Sequence, residues 1–304
     1  MGLPMARNLV EAGHTVVGFN RSPEKIEKFV SSGGLGAGSI QEAVDGAEAV
    51  VTMLPDSPDV LAVYSDDQGV LQNAGPSTLL IDMSTIRPDV TVELHEQATA
   101  AGLRFLDAPV SGGEQGAIDG SLSVMCGGSQ EAFDTALPLL QAMGRTIVRV
   151  GGPGSGQTVK AANQLLVAGT IQLVAEAMVF LDAHEVDLGR ALEVLNGGLA
   201  GNTILTRKAE SMMAGDFAPG FRVDLHHKDL GIYREAARDQ GVFSPLGAAV
   251  TELMAALRRT GGSDLDHSAL LRQVDALSGR SRWSGRSRWS GRSRWSGRSR
   301  SSGR

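Results

Sequence analysis

Residues 78–107 read TLLIDMSTIRPDVTVELHEQATAAGLRFLD. Thr78–Met83 is a continuous apolar run, Pro88–Ala101 carries a helical pattern, and Arg104–Asp107 returns to an extended one. Strand, helix and strand in this order form a βαβ unit, whose parallel strands are buried on both faces and so lose polar alternation. The alternation continues in both directions. His14–Phe19 (HTVVGF) and Ala49–Leu54 (AVVTML) are predicted strands before it, and Leu122–Cys126 and Thr146–Val150 after it. Pro23–Ser31 and Gln130–Met143 are predicted helices. The fold class is α/β, with a doubly wound and largely parallel sheet.

Near Gly151 the pattern changes. Gly151-Gly152-Pro153-Gly154-Ser155-Gly156 is a cluster of breakers, and from Thr158 to Ala183 no proline interrupts a mainly apolar stretch. One long buried helix is predicted there, then further helices at Arg190–Leu195, Thr203–Met213, Leu225–Asp239 and Leu246–Leu257, with no convincing strand after Val150. The expected organisation is an α/β domain over 1–156 and an all-α domain for substrate binding and oligomerisation over 157–278. A tail over 279–304 repeats the hexapeptide Ser278–Trp283, SGRSRW. Gly/Ser/Arg composition of this kind cannot bury a core, so the tail is expected to be disordered. An arm binding RNA or a membrane surface is the other reading, since arginine with interleaved aromatic rings suits polyanions.

With 304 residues, 42% of them hydrophobic, the chain can bury two cores. No run of 18 apolar residues is present, so no membrane span is expected. The net charge of −6 is uneven: nine of the 28 basic residues lie in 279–304, leaving 19 against 34 acids before it, a balance of −15. An acidic body is a poor nucleic-acid binder. The single cysteine, Cys126, excludes an internal disulfide framework, and no signal-peptide pattern opens the chain; a cytoplasmic protein is expected.

The opening residues look like part of a dinucleotide-binding unit. In a Rossmann-type domain a strand, a glycine turn and a helix come first, with the pyrophosphate over the helix N-terminus. Here Met1 and Gly2 lead straight into a helix that ends at Gly13-His14, followed by the strand to Phe19. The first strand and its leading glycines are missing, so the sheet is expected to be N-terminally truncated, through a start codon assigned too late or a real loss. At the end of the strand to Phe19, an acid would bond the ribose of NAD; Asn20-Arg21 stands there instead, which suits the 2′-phosphate of NADP. The other reading is a helix-capping loop, with Ser22 at the N-cap, Pro23 in the first turn and Arg21 solvated.

Three further segments carry candidate chemistry. Asp107-Ala108-Pro109-Val110-Ser111-Gly112-Gly113 can present backbone N–H groups and a hydroxyl to an anion, or be a plain turn. In Gly154-Ser155-Gly156-Gln157-Thr158-Val159-Lys160-Ala161-Ala162-Asn163, Lys160 and Asn163 share a helix face. A lysine and an amide in an otherwise apolar helix suit proton transfer to a carbonyl oxygen, unless both belong to a solvated first turn. His227-Lys228-Asp229-Leu230 opens another helix, with Lys228 either functional or a surface charge.

Taken in order, MGLPMARNLVEAGH, VTMLPDSPDV, IDMSTI, DAPVSGG, GSGQTVKAANQ and HHKDL resemble the β-hydroxyacid dehydrogenase family, and the resemblance covers residues 1–278. It implies interconversion of a small 3-oxo acid and its 3-hydroxy acid with a nicotinamide cofactor, in a homodimer or homotetramer; the Asn20-Arg21 reading makes that cofactor NADP, NADPH preferred and NAD possible. The resemblance makes Lys160 the catalytic general acid. Ser111, Gly112 and Gly113 would hold the substrate carboxylate, Asn163 would position the substrate, and Leu54, Pro55 and Thr85 would contact the cofactor. Lys228 would lie near the nicotinamide ribose or the substrate. Neighbouring cations are expected to lower the pKa of Lys160. No metal is required. A truncated, inactive binding or oligomerisation protein is the alternative, against which the retained Lys160 and Asn163 argue.

Overall fold

The computed structural model describes residues 1–283. Eight strands lie in the first half: β1 (Val17–Gly18), β2 (Leu35–Gly36), β3 (Ala49–Thr52), β4 (Leu79–Asp82), β5 (Arg104–Asp107), β6 (Val110–Ser111), β7 (Leu122–Gly128) and β8 (Gly144–Gly151). Strands β3, β4 and β5 are parallel neighbours, and Leu79 and Ile81 face one apolar core while Leu80 faces the other. This is the doubly wound plan. The helix Pro88–Ala100 crosses from β4 to β5 as the βαβ pattern requires.

The sheet is less parallel than its apolar runs implied. Strand β7 pairs antiparallel with both β5 and β6, and parallel with β8. The link from 112 to 121, between β6 and β7, is shorter than the dozen or more residues a parallel crossover needs, so the chain turns back. At the other edge the sheet is split. β1 and β2 form a separate two-stranded parallel sheet that shares no hydrogen bond with the main one.

All-helical structure follows. The long helix Ser155–Ala183 starts three residues earlier than the sequence pattern indicated, and the helices Leu188–Gly197, Thr203–Ala214, Val223–Asp239, Pro245–Leu257 and Leu270–Leu277 pack with it around a third core. It is the one described helix long and apolar enough to cross a bilayer by composition, but Lys160, Gln157, Gln164 and Gln172 on it are buried inside the protein.

The expected tail boundary at 279 falls within this packing. Trp283 is 5% exposed in the helical core, and its ring N–H donates to the Met213 carbonyl at 3.2 Å. Arg280 and Arg282 both pair with Asp182 at the end of the long helix. A large indole and two guanidiniums found an apolar seat and a carboxylate, which composition alone could not reveal. The remaining repeats, from 284 onward, lie outside the described residues.

Candidate active site

The long helix is fixed to the sheet at its first turn. Asp107, at the end of β5, accepts from the backbone N–H of Gly154 at 2.9 Å and of Gln157 at 3.0 Å. Two otherwise orphaned helix-terminal amides are thereby satisfied. Burial nevertheless pushes the Asp107 carboxyl up to about 6, against those hydrogen bonds. The Gln157 side chain donates to the Ser84 carbonyl and accepts from the Ile86 amide, locking the same turn to the loop after β4. Gly156 allows the close approach, since a Cβ there would collide with the Met125 carbonyl and with Asp107.

One turn further along, Lys160 points into the protein and is 7% exposed. Its Nζ donates to the Val110 carbonyl at 2.7 Å and to Gln164 Oε1 at 3.2 Å. Val110 immediately precedes Ser111-Gly112-Gly113, where Gly112 (φ 138°) and Gly113 (φ 68°) adopt positive-φ backbone that favours glycine. The lysine thus lies beside the expected anion cradle. Its pKa is lowered to about 8. Burial is the main cause and the Lys228 cation adds to it, while the Asp229 carboxylate opposes both. The sequence expectation credited neighbouring cations; desolvation outweighs them because the ammonium is almost wholly enclosed. The alternative of a solvated first turn is overturned.

Gln164 and Asp229 complete the cluster. Gln164 Oε1 also accepts from Asn163 Nδ2 at 2.9 Å, and Gln164 Nε2 donates to Asp229 Oδ2. Asp229 pairs with Lys228 at 2.8 Å, and Lys228 Nζ donates to the Thr85 carbonyl at 2.6 Å. Lys160, Asn163, Gln164, Lys228, Asp229 and Thr85 therefore form one connected polar network. Asn163 reaches Lys160 only through Gln164. Sequence reading missed Gln164 and gave Asp229 no role, although both lie inside the quoted motifs; the i,i+4 spacing of Lys160 and Gln164 was the available signal. Beneath the network, the buried His226 bonds the Gln164 carbonyl at 3.1 Å and shares a 2.8 Å Nδ1–Nδ1 hydrogen bond with His267, and burial lowers the pKa of both rings.

The remaining expected cofactor residues lie along the open ends of the strands. Leu54 and Pro55 follow β3, and the Leu54 amide donates to Ser84 Oγ at 2.8 Å. The helix Gly2–Glu11 has Met1 at its N-cap with no side-chain cap, and Gly2 lies against Met53. Uncapped first-turn amides at the mouth of an α/β sheet fit a pyrophosphate. Asn20 and Arg21, after β1, have local partners. Asn20 Oδ1 accepts from the Ser22 amide, and Arg21, its side chain 79% exposed, pairs with Asp59 at 3.0 Å.

Comparison with known proteins places most of the chain in one family. Residues 1–152 match the NAD-binding domain of 6-phosphogluconate dehydrogenase, and residues 154–274 match the NAD-binding domain of NADP-dependent 3-hydroxyisobutyrate dehydrogenase. The chain is 36% identical over 278 residues to the 2-hydroxy-3-oxopropionate reductase of Escherichia coli K12, covering 91% of this chain and 95% of that protein. It is also 36% identical over 287 residues to an NAD-dependent L-serine dehydrogenase of Pseudomonas aeruginosa, covering 92% and 96%. The structure of 3-hydroxyisobutyrate dehydrogenase from Mycobacterium tuberculosis with L-serine superposes with a TM-score of 0.82 at 35% identity, covering 90% of this chain and 95% of that one.

Proposed function

The chain belongs to the β-hydroxyacid dehydrogenase family, and on that premise we propose that it reduces tartronate semialdehyde (2-hydroxy-3-oxopropionate) to D-glycerate, with NADPH preferred to NADH. The observation that carries the reading is the setting of Lys160: a buried ammonium, bonded to the carbonyl next to Ser111-Gly112-Gly113, with its pKa lowered to about 8. A proton donor poised near the working pH, beside a carboxylate cradle, is what reduction of a short oxo acid needs.

In this reading Ser111 Oγ and the backbone amides of Gly112 and Gly113 take the substrate carboxylate. The first turn of Gly2–Glu11, with Met1 at its cap, together with Leu54, Pro55 and Thr85, would hold the nicotinamide cofactor, and Asn20 and Arg21 its adenosine phosphate. When bound, that cofactor supplies the hydride. Lys160 supplies the proton to the substrate oxygen. Its ammonium carries three protons, two of them held by Val110 O and Gln164 Oε1. The same two bonds can persist in the neutral amine, so the third position is the one that gives up and regains a proton. Asn163 positions the substrate, and Lys228 orients cofactor or substrate from the Thr85 side.

Substrate choice follows the stretches DAPVSGGEQGAIDGSLSVM, GGLAGNTIL, PGFRVDLHHKDL and DHSAL, together with the E. coli relative. A second reading, oxidation of 3-hydroxyisobutyrate or L-serine, draws on the names of other relatives of similar identity. The buried free thiol of Cys126 fits a cytoplasmic setting. NADPH oxidation by the purified chain with tartronate semialdehyde tests the proposal, with 3-hydroxyisobutyrate and L-serine assayed in the reverse direction. A kcat/KM for either alternative above that for tartronate semialdehyde would replace it.

A further inference from the structure

Two buried histidines lie under the proposed site and take no part in the chemistry described so far. His226 is fully enclosed and His267 is 6% exposed. Their Nδ1 atoms are 2.8 Å apart, and His226 Nε2 lies 3.1 Å from the Gln164 carbonyl oxygen. The Phe221 ring packs against both, its centroid 5.5 Å from each. Asp266 anchors the short turn that carries His267, accepting from Lys208 and from the amides of Gly220, Phe221 and Ser268.

These contacts leave one arrangement of protons. A carbonyl oxygen only accepts, so His226 Nε2 carries a hydrogen and donates it. A neutral imidazole has one N–H, so His226 Nδ1 is bare and accepts from the Nδ1–H of His267. His267 Nε2 is then bare as well, 3.9 Å from Asp266 Oδ1 and too far for a hydrogen bond. Burial is the main reason that the pair stays neutral. Lys160 on the long helix and Lys208 on Thr203–Ala214 add to it, against the carboxylates of Asp229 and Asp266.

The tautomer matters because of what His226 holds. His226 and Asp229 are three residues apart on the helix Val223–Asp239, so they share the face that meets the long helix. His226 bonds the backbone carbonyl of Gln164, and Asp229 accepts from its side-chain Nε2. With Nε2 committed to a carboxylate, Oε1 must face the donors Lys160 Nζ and Asn163 Nδ2. A glutamine free to turn would give the ammonium no fixed acceptor.

We propose that His226 is a positioning residue for the proton transfer: with its tautomer set by His267, it holds the backbone of Gln164 while Asp229 holds the side chain, and this double grip keeps Gln164 Oε1 on the Lys160 ammonium, a role that rests on Lys160 being the proton donor. The pair is not itself a proton relay, because a backbone carbonyl stands between it and the lysine.

Steady-state kinetics of full-length variants, beside a spectrum of the wild type, is the test. His226→Phe keeps a ring against Phe221 and removes both nitrogens. Its kcat should fall about 10- to 100-fold, with KM for NADPH and for the preferred oxo acid within about twofold and an unchanged circular dichroism spectrum. His226→Gln places an amide nitrogen near the lost Nε2 and should recover kcat to within about threefold of wild type. With a nitrogen isotope label in its histidine rings, the wild type at neutral pH should show His226 as the Nε2–H tautomer and His267 as Nδ1–H, a measurement that needs no folded variant. Three results overturn the proposal: wild-type kcat in His226→Phe, a His226→Gln chain as slow as His226→Phe, or either ring found as the other tautomer or as imidazolium. Lys160→Ala, assayed alongside, separates this role from the assignment beneath it. An inactive Lys160→Ala with a fully active His226→Phe ends the positioning role alone, whereas a fully active Lys160→Ala ends both.

Discussion

The two ends of the proposed site, at Lys160 and at Arg21, are built on opposite principles. At the Lys160 end Lys160, Gln164 and Asp229 are buried and bonded in a chain, and the lysine itself is nearly invisible to solvent. At the Arg21 end the guanidinium stands in water with a single carboxylate for company. Enclosure changes the chemistry of a group, because desolvation moves its pKa; exposure leaves a charge that only adjusts affinity. The contrast teaches where substitution should alter turnover and where it should alter binding.

Removal of the proton donor should have the largest effect. Lys160→Ala is expected to lower kcat about 10³-fold with a much smaller change in KM, measured by steady-state oxidation of NADPH. Full turnover by this variant would break the contrast outright. Next is the first turn of the long helix: Gly156→Ala should displace it from Asp107 and Met125, destabilising the fold by about 1–3 kcal/mol and lowering activity with it, as read by urea denaturation.

The pH profile sharpens the buried end. Reduction uses the ammonium form, so kcat/KM should be level below about 8 and fall above it; the reverse reaction uses the amine and should rise through the same pH. Lys228→Met removes a cation that depresses the Lys160 pKa, so the fall should move to higher pH. Asp229→Asn removes an opposing carboxylate, so it should move to lower pH. Shifts in the same direction for both variants would remove the electrostatic account.

The smallest effect belongs to the exposed end. Arg21→Ala should raise KM for NADPH about tenfold and leave NADH nearly unchanged, with stability altered by less than about 0.5 kcal/mol. Equal losses for both cofactors would end the phosphate role of Arg21.

Much of this was legible in the sequence. The apolar runs of β3, β4 and β5 and the proline-free stretch before Ala183 located the fold, because burial on both faces and uninterrupted helix leave marks on composition. Lys160 and Lys228 stood out as charges inside apolar or motif-rich segments. Gln164 did not, since a glutamine in a helix looks the same whether it bonds water or a buried lysine. Nor could residue order show that Asp107, 47 residues before Gly154, caps the long helix, or that enclosure rather than neighbouring charge governs Lys160. The antiparallel return of β7 depended on loop length, and the burial of Trp283 on a seat formed by distant residues.

That buried indole makes the protein optically simple. All three tryptophans lie at or beyond residue 283, so 1–282 contributes no indole emission. The ring of Trp283, hydrogen-bonded to Met213 and shielded by the helical core, should emit to the blue of a hydrated indole. Substituting Trp289 and Trp295 by phenylalanine would leave a one-probe protein whose colour registers whether the start of the repeat is docked.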